Sequence, residues 1–343
     1  MNKALNDKLK DLVKWSLKEF SDLPWRRHRT LYGTLVSEIM LQQTTVSTVL
    51  NHFERFLKEY PTPKHVADAT EEQLLISWKG LGYYRRARNL QKACKTICDE
   101  HDGEIPLNFE KLIQINGIGI YTANAILSIG ADKKALALDA NLERIISRLY
   151  GIDIEKGSKL QKEILNRFEQ SEVCQEIDSI GARDYNESLM DLGRNYCQAR
   201  RASCEICPLR SECYSAKNNC ALDLPKVKDV KKESFELELL RVVLKENDKY
   251  LVYKKEAHEW LSGQYEVPTF IISSEDESLK QYPSITGDFW GLPSVKTGIT
   301  KYKIVNRVLW VNKEEFKKLG LDISQYEFGN TNLSTTSMKV VRF

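Results

Sequence analysis

Residues 112–127 read LIQINGIGIYTANAIL. Two apolar segments with helical spacing flank Asn116-Gly117-Ile118-Gly119. Glycine accepts backbone conformations and close approaches that a side chain forbids, so these four residues permit a tight turn between two helices. Such a turn exposes amide N–H groups at the start of the second helix. Those groups bind a phosphate oxygen without reading sequence. An ordinary helix–helix turn also tolerates two glycines; the apolar helices on both sides favour a helix-hairpin-helix.

Two flanking stretches place carboxylates beside apolar runs. LALDANLERIISRL (136–149) puts Asp139 between a strand-like stretch and a helix. Asp is a favoured helix N-cap, and a cap also holds a carboxylate in a fixed orientation. LVSEIMLQQTT (35–45) forms an apolar helix face from Leu35, Val36, Ile39 and Met40. Glu38, Gln42 and Thr45 line up beside that face, as a wet helix edge would. Two basic clusters, PWRRHR (24–29) and YYRRARN (83–89), are each either a solvated face or a nucleic-acid contact.

Amphipathic stretches continue the helical pattern over 4–20, 30–42, 45–59, 71–77, 84–100, 108–114, 121–129, 140–150, 158–169 and 184–196. Pro or Gly marks the breaks between them, as in PTP (61–63) and KGLG (79–82). A polar, lysine-rich segment, 218–233, reads as a linker. Beyond it the period changes. FELELLRVVLKENDKYLVYKK (235–255) alternates around an ENDK turn, as a β-hairpin does, and VNRVLWV (305–311) is a further strand. The expected organisation is a helical domain over 1–217, the linker, and a smaller α+β domain over 234–343. The expected fold class is mainly α.

Four of the eight cysteines fall between Cys197 and Cys213, spaced C-x6-C-x2-C-x5-C through Cys204 and Cys207. A structural zinc site usually shows two tight pairs. Here only Cys204 and Cys207 are such a pair, and no histidine lies nearby. Four cysteines with looser outer arms suit a 4Fe-4S cluster, with zinc or free cysteines as the alternatives. Cys94 and Cys98 share a helix face and read as core residues; Cys174 and Cys220 are left over.

A chain of 343 residues, 42% hydrophobic and 29% charged, is expected to be a soluble globular protein. No apolar run reaches the ~20 residues of a membrane helix, and the N-terminus lacks the core of a signal peptide. An intracellular protein with no membrane partner is expected. The net charge of +3 argues neither for nor against nucleic acid, because local patches decide.

Taken in order, SEIMLQQT (37–44), GLGYYRRARNL (80–90), the hairpin with LDANL (138–142) and the cysteine cluster closely resemble the adenine DNA glycosylase (MutY) family. That family belongs to the helix-hairpin-helix superfamily with endonuclease III. The resemblance covers about residues 20–215. It implies a hydrolase of base excision repair that excises adenine opposite 8-oxoguanine or guanine and leaves an abasic site. Its partner would be double-stranded DNA, its cofactor one 4Fe-4S cluster on Cys197, Cys204, Cys207 and Cys213, and its working form a monomer, cytoplasmic and nucleoid-associated in a bacterium. Bifunctional endonuclease III enzymes carry a Schiff-base lysine in the hairpin. Tyr121 stands there instead, and Glu38 stands where those enzymes lack a glutamate, so a monofunctional adenine glycosylase is expected.

The resemblance also assigns roles. Glu38 would protonate adenine N7 from a raised pKa. Asp139 would stabilise the positive sugar, with Tyr121 and Asn141 orienting the two. Trp25, Arg26, Leu41 and Glu187 match the adenine pocket. Gln42, Gln43 and Thr44 match the wedge into the duplex. Leu81, Gly82 and Tyr83 match the segment inserted beside 8-oxoguanine, and Gly117 and Gly119 the hairpin contact. Basic residues around the cluster loop, Arg194, Arg200, Arg201 and Arg210, would face the DNA backbone. The C-terminal part resembles a short Nudix-like lesion-recognition domain; WLSGQYEVPTF (260–270) is similar to the family's Trp-Glu-Phe-Pro segment, and no Nudix hydrolase box is present. The family's Phe-Ser-His loop is matched by Ile299-Thr300-Lys301, a departure at the histidine. Rival readings are a glycosylase for thymine opposite guanine, a non-catalytic iron–sulfur DNA-binding protein, and a zinc-stapled structural protein.

Overall fold

The computed structural model describes residues 3–27, 29–170, 177, 179–228, 233–256 and 258–343. His28, Cys174 and positions 229–232 of the expected linker lie outside them. Contacts divide the chain into two compact units: Met1–Ala69 with Leu81–Asp229, and Thr70–Gly80 with Val230–Phe343. The helix Glu71–Ser77, read from sequence among the helices of the first domain, groups with the second unit.

The first unit is helical. Its centre is the helix Leu31–Leu41, which Thr30 caps by accepting a 2.9 Å hydrogen bond from the Gly33 amide. Every residue from Tyr32 to Met40 is buried, so Glu38 lies in the interior and not on a wet edge. The helix packs against Val46–Glu59, Arg85–Glu100 and Ile120–Ala125. It stops at Leu41, and Thr45 caps the next helix. Gln42 and Thr45 therefore do not extend the Glu38 face.

A second layer joins Lys3–Phe20, Ala140–Tyr150, Ser158–Gln170 and Ala182–Asn195. Its core holds Leu9, Leu12, Leu142, Ile145, Leu160, Ile164, Tyr185 and Leu189. Cys197, Cys207 and Cys213 pack on its rim.

The hairpin is built by Phe109–Gln114 and Ile120–Ala125, the latter running on into a π-turn at Ile126–Gly130. Gly117 takes φ +96°, and a Cβ there would stand 2.3 Å from the Asn89 carbonyl oxygen. Both facts demand glycine. At Gly119, the N-cap of the second helix, a Cβ would meet nothing within 4 Å. Packing within the protein therefore does not require glycine at 119.

The second unit carries two sheets. One has the order β5–β1–β7–β6, from Thr269–Ser274, Phe235–Val243, Tyr302–Trp310 and Ser294–Ile299. Here β1 and β7 run parallel, in register from Phe235 opposite Tyr302 to Val243 opposite Trp310. The other joins β2 (Lys245–Glu246), β3 (Lys249–Lys254) and β4 (Tyr265–Glu266), with β8 (Glu327–Gly329) on β3. The expected hairpin over 235–255 is present only as the short pairing of β2 with β3. β1 does not alternate: seven successive residues, Leu237–Val243, are buried, because it is an inner strand covered on both faces.

Among the described residues no helix is long and apolar enough to cross a membrane.

Candidate active site

Glu38 projects from the central helix and is 6% exposed. Tyr121, in the second hairpin helix, donates its hydroxyl to Glu38 Oε2. Tyr121 is itself seated against Ala125, Ile129 and Ala137. Burial pushes the Glu38 carboxyl up to about 7 from its ordinary 4.5; the negative charges of Asp139 and Glu187 add to the rise, and the Tyr121 hydrogen bond and Arg26 oppose it. A carboxylic acid that keeps its proton near neutral pH is a general acid. The Tyr121 hydroxyl is pushed well above 10 by burial and by the neighbouring carboxylates, so it stays a donor.

Asp139 is the N-cap of Ala140–Tyr150. Its Oδ1 accepts from the Asn141 and Leu142 amides, each at 2.8 Å, and its Oδ2 accepts from Asn141 Nδ2 at 2.8 Å. Asn141 in turn accepts from Arg144 at 2.9 Å, and Arg144 Nε donates to the Cys197 carbonyl at 2.7 Å. Burial raises Asp139 as well, but three N–H donors and the Arg144 charge work against that rise. Glu38 has one such donor.

A charge network flanks the acid. Arg29 grips Glu187 with both ends of its fork, at 2.7 and 2.8 Å. Arg26 Nε stands 3.4 Å from Glu187, and its NH1 donates to Asp191 at 2.8 Å. Asp191 also accepts from Ser16 at 2.6 Å and from Arg194 at 3.2 Å. Arg26, Glu187 and Asp191 are all buried. Trp25 is half-buried and meets Phe53 edge to face. Arg29 stood in the PWRRHR cluster without a role of its own. The signal that singles it out is tertiary: a carboxylate on a helix more than 150 residues away.

Two turns lie at the end of the Glu38 helix. Gln42 and Thr44 are half-buried, and Gln43 is exposed at φ +55°. Leu81 is buried, Gly82 takes φ +67°, and Tyr83 is 60% exposed at φ +46°. Arg86 joins the two turns and is 7% exposed. From the YYRRARN cluster it reads as a nucleic-acid contact or a solvated face; the structure turns it inward.

All four clustered cysteines, Cys197, Cys204, Cys207 and Cys213, line one cavity with Ile145, Leu149, Leu192 and Leu209. Arg148, 2% exposed, donates to Cys197 Sγ at 3.3 Å. Burial pushes the Cys207 thiol up to about 12 and raises Cys204 and Cys213. As bare groups these thiols keep their protons. Among the described residues, no three His, Cys, Asp or Glu side chains are arranged around a single metal ion. Arg200, Arg201 and Arg210 are exposed. Arg194 is not part of that exposed set, since it is held by Asp191 and by the Phe20 ring, 4.2 Å away.

Thr300 and Lys301 belong to the second unit, where they form the two-residue turn between β6 and β7. Thr300 sits at φ +47°. The Lys301 ammonium stands 3.0 Å from Asp276 and 4.4 Å from the Phe235 ring centre. Deeper in that unit, Glu266 of the 260–270 segment is buried and accepts from Arg241 at 2.6 Å and from Lys255.

The family model of HhH-GPD superfamily base excision DNA repair proteins matches residues 36–170. The adenine DNA glycosylase of Buchnera aphidicola from Acyrthosiphon pisum is 39% identical over 195 residues, 57% of this chain and 54% of that protein. The one from Buchnera aphidicola of Schizaphis graminum is 34% identical over 250 residues, 73% of this chain and 70% of that protein. The human adenine DNA glycosylase is 36% identical over 211 residues, 59% of this chain and 38% of its own. The chain spans about half the length of the curated relatives it matches. Among solved structures, a thermostable thymine-DNA glycosylase is similar with a TM-score of 0.54 at 25% identity, over 63% of this chain and 98% of that one.

Proposed function

We propose that this chain, which belongs to the adenine DNA glycosylase family, excises adenine mispaired with 8-oxoguanine or guanine from duplex DNA and leaves an abasic site. The observation that carries this is Glu38, a carboxylic acid buried in an apolar helix and raised to about 7, hydrogen-bonded by Tyr121.

The target base must first leave the stack, at a cost of a few kcal/mol. Gln42, Gln43 and Thr44 would wedge into the duplex, and Leu81, Gly82 and Tyr83 would insert on the opposite strand. Gly117 and Gly119 would let hairpin amides meet a phosphate; the open space where a Cβ at 119 would stand supports this. Trp25, Arg26, Leu41 and Glu187 would surround the flipped adenine. Glu38 protonates N7, which makes the base a better leaving group. The sugar that remains is oxocarbenium-like, and the Asp139 carboxylate stabilises it. Asn141 and the Ala140–Tyr150 helix amides hold that carboxylate in place. The ionised Glu38 then draws a proton from the incoming water. No lysine stands at the hairpin position of Tyr121, so no Schiff base forms there and the strand is left uncut.

Cys197, Cys204, Cys207 and Cys213 would hold one 4Fe-4S cluster. An all-sulfur, apolar-walled cavity with an arginine donating to sulfur supports this. Ligation by these four cysteines would tie the loop carrying Arg200, Arg201 and Arg210 into a fixed shape. The second unit would be the Nudix-like reader of 8-oxoguanine, with Thr300 and Lys301 at its recognition turn.

The test is base release from duplexes bearing A opposite 8-oxoguanine, G or C, with T opposite G alongside and Glu38→Gln as control. Release of adenine from the first two by the wild type alone supports the proposal. Release of thymine alone would favour a thymine glycosylase, the activity named for the structurally similar enzyme. Thymine has no N7, so Glu38 would then have no such task.

A further inference from the structure

Arg86 makes a set of contacts that its place in a basic cluster does not foretell. Its NH1 donates to the carbonyls of Ile39 at 3.0 Å, Met40 at 2.7 Å, and Gln42. Its NH2 donates to Thr44 Oγ1 at 2.8 Å, the Leu81 carbonyl at 2.8 Å and the Gly82 carbonyl at 3.2 Å. One guanidinium thus closes the last turn of the Glu38 helix and fastens both turns beyond it. The guanidinium carbon also lies 5.5 Å from the Tyr83 ring centre.

Each of those turns contains a side-chain-bearing residue in the left-handed region, Gln43 at φ +55° and Tyr83 at φ +46°. Such conformations are strained for residues with a side chain and persist only where the surroundings over-determine them. The two residues are also the exposed tips of their turns. A planar fork with donors in fixed directions suits the task of holding several carbonyls at once, which a lysine's single ammonium does not.

We propose that Arg86 is a positioning residue that sets the 42–44 and 81–83 turns in register with each other and with the Glu38 helix. Insertion into the duplex and presentation of the acid then occur as one rigid event. The proposal rests on the glycosylase reading for its consequence in DNA, but the mechanical coupling is a property of the protein alone.

Two measurements separate them. In DNA-free protein, hydrogen exchange of segments covering 42–45 and 81–84 is compared for wild type, Arg86→Lys and Thr44→Val. Arg86→Lys should speed exchange in both segments. Thr44→Val, which removes a hydroxyl that meets Arg86 at 2.8 Å and the Leu81 carbonyl at 3.4 Å, should speed exchange in the second turn as well. With 2-aminopurine at the target position of a mispaired duplex, both variants should lose part of the fluorescence rise that reports flipping. Single-turnover excision by Arg86→Lys should fall by about 100-fold, the cost of a displacement near 1 Å at a reacting centre. The pH midpoint of the remaining activity should stay where it is in the wild type, since burial, Tyr121, Asp139, Glu187 and Arg26 are what set the Glu38 titration. If Arg86→Lys does not fold, Arg86→Gln carries the test. Exchange that rises in only the substituted turn, or in neither, overturns the coupling whatever the enzyme does. A wild type that releases no adenine yet shows coupled exchange overturns the functional reading and leaves the coupling standing.

Discussion

Glu38→Gln should abolish excision and at the same time stabilise the protein, by an amount that depends on pH. Burial raises the Glu38 carboxyl from 4.5 to about 7. Between those two values the folded state binds more protons at this site than the unfolded state. Stability therefore falls as pH rises through the window and is flat above it. Integrating the two titrations from pH 5 to pH 8 gives a wild-type loss of about 2.5 kcal/mol from this one group. Glutamine has nearly the same shape and does not titrate, so Glu38→Gln escapes that loss. The melting temperature of the variant relative to the wild type should climb by about 5–10 °C between pH 5 and pH 8, at roughly 2–4 °C per kcal/mol for a unit of this size. Thermal melts of both proteins in matched buffers at several pH values measure it. A Tm difference that does not change with pH would refute the reasoning, since a buried acid titrating near 7 cannot be silent. So would a variant that loses ground above pH 7. Excision should be lost at every pH.

Other outcomes follow from the same site. Tyr121→Phe removes the hydrogen bond that holds Glu38 down. A hydrogen bond to a charged group contributes roughly 1.5–3 kcal/mol, so the alkaline limb of the pH–rate profile should move up by about one to two units; a downward shift would contradict the hydrogen-bond assignment. Asp139→Asn keeps a good helix cap, so the melting temperature should hold within a few degrees while excision falls at least about 100-fold. Equal losses of stability and activity would mean that Asp139 serves only as a cap. With the proposed 4Fe-4S cluster the purified wild type should be brown, and Cys207→Ala should be colourless and bind duplex more weakly, with a shallower dependence on salt. A colourless wild type with bound zinc would replace the cluster by a zinc staple.

Much of the helical unit was legible because its helices are amphipathic and punctuated. The patterns over 71–77 and 140–150 match the observed helices end to end. The short helix Pro63–Asp68 hid inside a break, because Pro63 was read as a stop when it is a helix start after the Thr62 cap. Charge was the poorest guide. The Arg26 and Arg86 side chains sit in basic clusters yet are buried, one on carboxylates and one on carbonyls. Composition cannot reveal that, since Asp191 lies 165 residues from Arg26 and Ile39 and Met40 lie 47 and 46 residues from Arg86. Glu38 misled in the opposite sense: four flanking apolar residues marked a face, but the helix is buried all round. In the second unit, alternation suggested a hairpin because Glu236 and Glu238 interrupt the apolar run. β1 in fact buries Glu238 against Arg307 at 2.5 Å, so a paired charge imitated a solvent face.

The two carboxylates differ in a way that sets their roles. Burial raises both Glu38 and Asp139. Asp139 is opposed by two backbone amides, the Asn141 amide nitrogen and the Arg144 charge, all aimed at its charged form. Glu38 has a phenol, and the phenol's own proton is held far above the working range. The proton that leaves the Glu38–Tyr121 pair near pH 7 is therefore the carboxyl's. An ionised Asp139 also raises Glu38, so the anion that would meet the sugar helps keep the acid protonated until the base takes its proton. In the proposed reaction the positive sugar would offset the charge of Asp139, and the newly ionised Glu38 would meet less opposition. Both environments raise their acid, but more donors oppose the rise at Asp139 than at Glu38, and a step needing one proton donor and one anion would draw on that difference. The helix cap, with its three fixed donors, supplies the second environment from residues that sequence alone would count as secondary structure.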